Sequence, residues 1–140
     1  MSTGQNRNPP RSRTKLEEAV KTAETAAGRA SAHYELGVFH DNNGREKEAI
    51  PHYEAALKLG LSGERKAQCL AWLASSLCKT RKFDKAEARL EDARTATSDS
   101  DLLSFLQRLE RRIKREESNA YLRATVGLLL KLAKAERRKG

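Results

Sequence analysis

The stretch "ELGVFHDNNGREKEAIPHYEAAL", Glu35–Leu57, returns without a gap as "WLASSLCKTRKFDKAEARLEDAR", Trp72–Arg94, at a constant offset of 37 residues. Leu36 matches Leu73, Gly37 matches Ala74, Ala49 matches Ala86, Tyr53 matches Leu90 and Ala56 matches Ala93. An internal period of this size means a unit that cannot bury its apolar face alone, so copies must stack to form one core. The matched positions have distinct jobs in such a stack. Gly37 and Ala74 are small where the two helices of a pair approach closely. Ala49, Ala56, Ala86 and Ala93 are small where one pair packs on the next, and Leu36, Tyr53, Leu73 and Leu90 fill the space between.

The unit reads as a helix hairpin. Apolar residues recur at helical spacing on both sides of "DNNG" and of "KTRK". Around these two hairpins the chain offers further helices. Thr14 and Glu17 have capping-box spacing ahead of Leu16, Ala19, Val20, Ala23 and Ala27, and Gly28 is where that segment bends or ends. Ser62 stands as a cap before the helix with Leu70, Leu73 and Leu77. Ser98 and Asp101 repeat the capping-box spacing before Leu102, Phe105, Leu106, Leu109 and Ile113. Ser118 is positioned to cap a last helix with Leu122, Val126, Leu129, Leu130 and Leu132. About seven helices are expected, joined by short turns that make neighbours antiparallel. Pro51, inside the second helix of the first hairpin, is expected to sit in a loose first turn or a mild kink.

At these residues the pattern resembles the tetratricopeptide repeat (TPR), a helix–turn–helix of about 34 residues. "GREKEAIPHYEAALKLGLSGE" is similar to a subgroup of small stand-alone bacterial tetratricopeptide proteins whose inter-repeat loop is slightly long, which accounts for the larger spacing. The resemblance implies an all-α fold, an α-solenoid of antiparallel helix pairs in a right-handed superhelix. Residues 1–13, polar, Pro-bearing and without periodicity, are expected as a disordered basic arm, and 14–138 as one helical domain. The repeats fall at about 30–61 and 67–97, with a divergent third at about 100–134 whose turn "RRIKREES" departs from the pattern.

Composition narrows the class. The chain has 140 residues, 34% of them charged, and a formal charge of +9. The excess sits at the ends: residues 108–140 carry eleven Lys or Arg against four Glu, while 16–107 carry thirteen bases and fifteen acids. The longest apolar run, "VGLLL", is about a quarter of the ~20 residues needed to cross a bilayer. The N-terminus lacks the apolar core of a secretory signal. A cytoplasmic protein with no membrane partner is expected. Cys69 and Cys78 lie nine residues apart on one helix, about 13 Å along its axis, too far for a disulfide. Buried or half-buried thiols are expected.

Catalytic chemistry finds little support. His33 and His40 are two turns apart on one helix, so one metal ion cannot take both, and His52 has no evident partner. HExxH, GxSxG and a Gly-rich phosphate loop do not occur. No enzyme, cofactor or metal is expected.

What remains is binding. By resemblance, the first helix of each pair lines a concave groove that takes a protein or peptide. The residues facing it would be Ser31, Tyr34, Val38, Asp41 and Asn42 in the first repeat. In the second they would be Gln68, Ala71, Trp72, Ser75 and Lys79, with Arg108, Arg111 and Arg112 extending the surface. The Lys–Asn–Arg clamp of family members that hold an acidic chaperone C-terminus is missing, because its places hold Tyr34, Val38, Trp72, Asp101 and Phe105. Tyr34 and Trp72 fit helix packing and partner contact equally well. Tyr34, Val38 and Asp41 stand as residues that stacking need not use. Two other readings stay open. The basic ends could attract nucleic acid or another polyanion, though aromatics for base stacking are few and nucleic acid is not the expected partner. The apolar last helix either folds back on the third repeat, the expected outcome, or is covered by another chain in a homodimeric scaffold.

Overall fold

The computed structural model describes residues 12–139. Six α-helices run through them: α1 (Arg13–Thr22), α2 (Ala26–Asn42), α3 (Glu46–Lys58), α4 (Gly63–Lys79), α5 (Phe83–Thr95) and α6 (Ser100–Lys139). No strand occurs among the described residues. Each helix packs on the next, and α2 and α6 also touch α4. The chain therefore forms an α-solenoid of helix pairs, with α2, α4 and the start of α6 as one layer and α3 and α5 as the other.

The repeat is physical as well as textual. In the first hairpin turn the Gly44 N–H donates to Asp41 O at 3.1 Å and the Arg45 N–H to His40 O at 2.9 Å. In the second, Arg81 donates to Cys78 O at 3.0 Å and Lys82 to Leu77 O at 2.8 Å. These are the same bonds displaced by one repeat. Both turns need a left-handed residue, Gly44 at φ 71° and Arg81 at φ 67°. Arg81 holds that conformation against the usual penalty of about 1 kcal/mol for a side chain there.

The close approach expected at Gly37 is real. A Cβ added there would lie 2.7 Å from two ring carbons of Tyr53. Tyr53 itself is fully buried, as are Ala49, Ala56, Ala86 and Ala93. The second repeat has Leu90 in place of Tyr53, and there Ala74 takes the place of the glycine. Cys69 and Cys78 are free and buried, and burial pushes the Cys69 thiol up to about 12.

Several expected boundaries move. α1 is capped by Ser12, whose Oγ accepts from the Lys15 N–H at 3.3 Å, so Thr14 and Glu17 are not its capping box. The basic arm expected at 1–13 lies outside the described residues up to 11, and Arg13 already belongs to α1. The break between α1 and α2 falls at 23–25 rather than at Gly28. Thr25 Oγ1 accepts from the Gly28 N–H at 3.0 Å, and Arg29 donates to Ala23 O at 2.9 Å. Ser62 occupies the N-cap of α4 without a side-chain bond. α6 is capped by Asp99, whose carboxylate accepts from the Leu102 N–H at 2.9 Å. Pro51 lies in the second turn of α3, exposed, where the Lys47 carbonyl that loses its donor is within reach of water.

The largest correction concerns the third repeat. It is no hairpin: α6 runs 40 residues without a break, about 60 Å. Between Ile113 and Tyr121 the sequence has neither Gly nor Pro, and a single Ser118 does not stop a helix that good formers propagate. The last helix therefore does not fold back. Leu102, Leu106, Leu109 and Ile113 are the buried residues of α6; Glu117 still reaches Glu87 of α5, and no described residue beyond it is buried.

Gly37→Ala should lower thermal stability, because displacing the Tyr53 ring costs about 1–3 kcal/mol and outweighs the ~1 kcal/mol helix preference of Ala. Gly127→Ala, with nothing within 4 Å of the added Cβ, should leave the melting temperature unchanged or higher. Melting curves that rank the two the other way would refute the close-approach account.

Candidate functional site

The face shared by α2, α4 and the start of α6 carries one aromatic ring from each. Tyr34 is buried, while Trp72 and Phe105 are half-buried. The Trp72 indole N–H donates to Tyr34 Oη at 3.1 Å, and Tyr34 Oη donates to Gln68 Oε1 at 3.3 Å. Trp72 meets Phe105 edge-on, with ring centroids 5.1 Å apart. The Arg65 guanidinium lies over the Tyr34 ring at 5.0 Å and donates to Ser31 Oγ at 2.9 Å. The row is thus fixed by directed contacts, not by apolar burial alone. Burial also raises the Tyr34 hydroxyl pKa, so it stays a neutral donor.

Stacking uses more of this face than the sequence suggests. Tyr34 and Asp41 are not residues that stacking leaves over. Asp41 Oδ2 accepts from Tyr53 Oη at 2.8 Å, and its Oδ1 accepts from Ser76 Oγ at 3.2 Å, linking α2, α3 and α4. Beside it, Val38 is partly buried against the core. Ala71 is fully buried and faces no groove. Ser75 is buried and accepts from Arg112 Nη2 at 2.8 Å, which ties α4 to α6. Lys79 is exposed, 3.8 Å from Glu46, and Asn42 is exposed at the end of α2. Arg108 shares the side of Phe105 and Arg112 by its three- and four-residue spacing. Arg111 is about half a helical turn from Ile113, which is buried against the body, so it points away. Arg65 was not among the expected residues. Its signal in the sequence was its place seven residues, two turns, before Trp72 on one helix face.

The three histidines of the chain converge, which corrects the reading of His52 as partnerless. His33 Nδ1 and His52 Nδ1 are 3.0 Å apart, and His52 stacks on His40 with centroids 5.5 Å apart. One of the pair carries its proton on Nδ1 and the other accepts it there, so the accepting ring is neutral and the two cannot both be imidazolium. His40 Nδ1 accepts from Arg45 Nε at 3.1 Å, which fixes it unprotonated at that nitrogen. Arg13 and Glu17 of α1, Arg29 of α2, Arg45 just before α3 and Glu48 of α3 surround the cluster. Burial lowers all three pKa values below 6.5, helped by Arg29 at His33, Arg45 at His40 and the other two rings at His52. Among the described residues no group of three or more His, Cys, Asp or Glu is arranged to hold a metal.

The depressions on the surface are open to solvent and lie around the hairpin turns. One of about 260 Å³ is lined by Lys79, Arg81, Phe83 and Arg112; others of about 460 Å³, between Gly44 and Arg81, and about 420 Å³, between Phe83 and Glu117, are lined mainly by charged side chains, unlike the largely apolar, enclosed clefts that hold small molecules. An extended face of this kind suits a macromolecular partner better than an enclosed ligand.

A family model described as Tetratrico peptide repeat matches residues 30–109. The match begins in α2 and ends in α6 at Leu109, close to where that helix leaves the body. No curated protein and no solved structure matches the chain.

The histidines give a pH dependence whose sign is fixed. The folded pKa values lie below the unfolded 6.5, so the unfolded chain binds more protons and stability falls as pH drops through and below that value. The melting temperature should be several degrees lower at about pH 5 than at about pH 7.5, and His52→Gln should flatten the slope. A wild-type profile that is flat over this range would rule out a neutral cluster.

Proposed function

Because the chain belongs to the tetratricopeptide repeat family, whose stacked helices generally serve protein–protein interaction, we propose that its role is non-catalytic binding of a protein segment on the face of α2, α4 and the start of α6. The observation that carries this reading is the Trp72–Phe105 pair. Both rings are half-buried, and both are held in place by other contacts. A rigid, partly exposed aromatic shelf loses little entropy on binding, which is why such rings anchor interfaces. Arg65 and Arg108 flank the shelf and are exposed. The segment that fits is short, with an apolar anchor against the rings and carboxylates at its ends. Tyr34, Asp41 and Ser75 serve this face by holding it rigid, while Trp72, Phe105, Gln68 and Arg108 are the groups a partner would touch.

Peptides selected from a random display library on the full chain should bind this face. The double variant Phe105→Ala, Arg108→Glu, with its helicity checked by circular dichroism, should weaken them at least about tenfold, or ~1.4 kcal/mol. Lys85→Glu on α5 should leave them unchanged. Selected peptides that ignore the double variant, or that need Lys85, would place binding elsewhere.

A further inference from the structure

The second half of α6 poses the sharpest physical problem in the molecule. All seven exposed large apolar side chains among the described residues lie between Tyr121 and Leu132, each 52–74% accessible. Scattered apolar exposure is ordinary, but confinement of all of it to three turns of one helix marks a surface with an occupant.

That occupant is not the chain's own body. Lys131 lies 18 residues, about five turns, beyond Ile113 on the same side of α6. The side that packs on the body in the first half therefore becomes, further along, the side of Arg123, Lys131, Lys134 and Arg138. The apolar residues occupy the opposite side and face away from the solenoid. Leu122 and Leu129 run along the middle of this arc, with Val126 and Leu130 on one flank and Leu128 and Leu132 on the other. At 100° per residue the arc spans about 200°.

Breadth and charge together choose the partner. A two-helix seam uses two positions per heptad, and here Tyr121, Leu128 and Leu130 fall outside any single seam. One partner helix would leave a flank in water. From Ser118 to Lys139 the segment has six Lys or Arg against Glu136 alone, and a second copy packed arc to arc would leave these cations on the outer sides with no counter-charge. A helix lying half-immersed, apolar arc down and basic side among anionic headgroups, covers the whole arc and neutralises the charge at once. Spanning is excluded, because no described helix is long and apolar enough to cross a membrane.

We propose that residues 118–139 form a membrane-surface helix whose apolar arc enters the interface of an anionic bilayer while its cations meet the lipid phosphates. The solenoid then hangs from the membrane by a continuous helix about 33 Å long beyond its body, with the inner face free. This rests on α6 alone and stands or falls separately from the peptide-binding reading.

The test is sedimentation of the full chain with vesicles of phosphatidylcholine alone or mixed with phosphatidylglycerol. Binding should require the anionic lipid and fall at least about tenfold in high salt. Leu122→Asp with Leu129→Asp should abolish it. The fourfold change of Arg123, Lys131, Lys134 and Arg138 to Gln should weaken it at least about tenfold, with circular dichroism confirming helix in both variants. Equal binding to neutral vesicles, no binding, or binding indifferent to the Leu changes would overturn the proposal; the last is what simple attraction of a basic tail to phosphate would give. A dimer at micromolar concentration that Leu129→Asp dissociates, in a chain that ignores vesicles, would give the surface to a second copy instead.

Discussion

Tyr53 is the side chain on which the stack depends. Its ring lies where a Cβ on Gly37 would have to be, which sets how closely α2 and α3 approach. Its hydroxyl donates to Asp41, which also accepts from Ser76, and its carbonyl accepts from the Cys69 thiol at 3.5 Å. One residue of α3 thereby joins α2 to α4. Burying a phenol without a partner would cost several kcal/mol, so the ring requires the carboxylate of Asp41. Raised by burial and by the neighbouring Asp41 carboxylate, the Tyr53 hydroxyl stays protonated and the bond is kept.

That constraint propagates to the face shared by α2, α4 and the start of α6. With α2 and α4 locked in register, Tyr34 falls beneath Trp72 and Gln68, and Trp72 falls against Phe105. The rings left partly accessible are then those at the α4–α6 end of the row. Rigidity here comes from hydrogen bonds between helices far apart in sequence, such as Arg112 to Ser75. A binding face built on packed helices holds its geometry better than one built on loops, which suits repeats used as docking surfaces.

α6 divides the molecule into two physical regimes. Up to Ile113 its buried stripe and polar outer side make it the cap that a solenoid needs. Beyond, the apolar side changes face, and nothing within the described residues covers it. The helix crosses this boundary without a break because no residue at the boundary opposes helix. Its basic last turn, Arg137–Lys139, is also favoured by the helix dipole.

The sequence alone determined the repeat, its two hairpins and the core positions that the two copies share. These follow from spacing, because a 37-residue period and a helical stripe are properties of the chain read in order. The resemblance also pointed to Tyr34, Trp72 and the cations near Phe105, but the sequence could not tell that Tyr34 is buried while Trp72 stays half-buried. The rings fit both roles until the distance between α2 and α4 is known. Nor could it bring His33, His40 and His52 together, since they share no short-range spacing across two helices. The last decision was the course of α6. Local sequence allowed either a turn at Ser118 or a continuous helix. Only the packed structure shows the body already capped at Ile113, with no apolar surface left for a returning helix to cover.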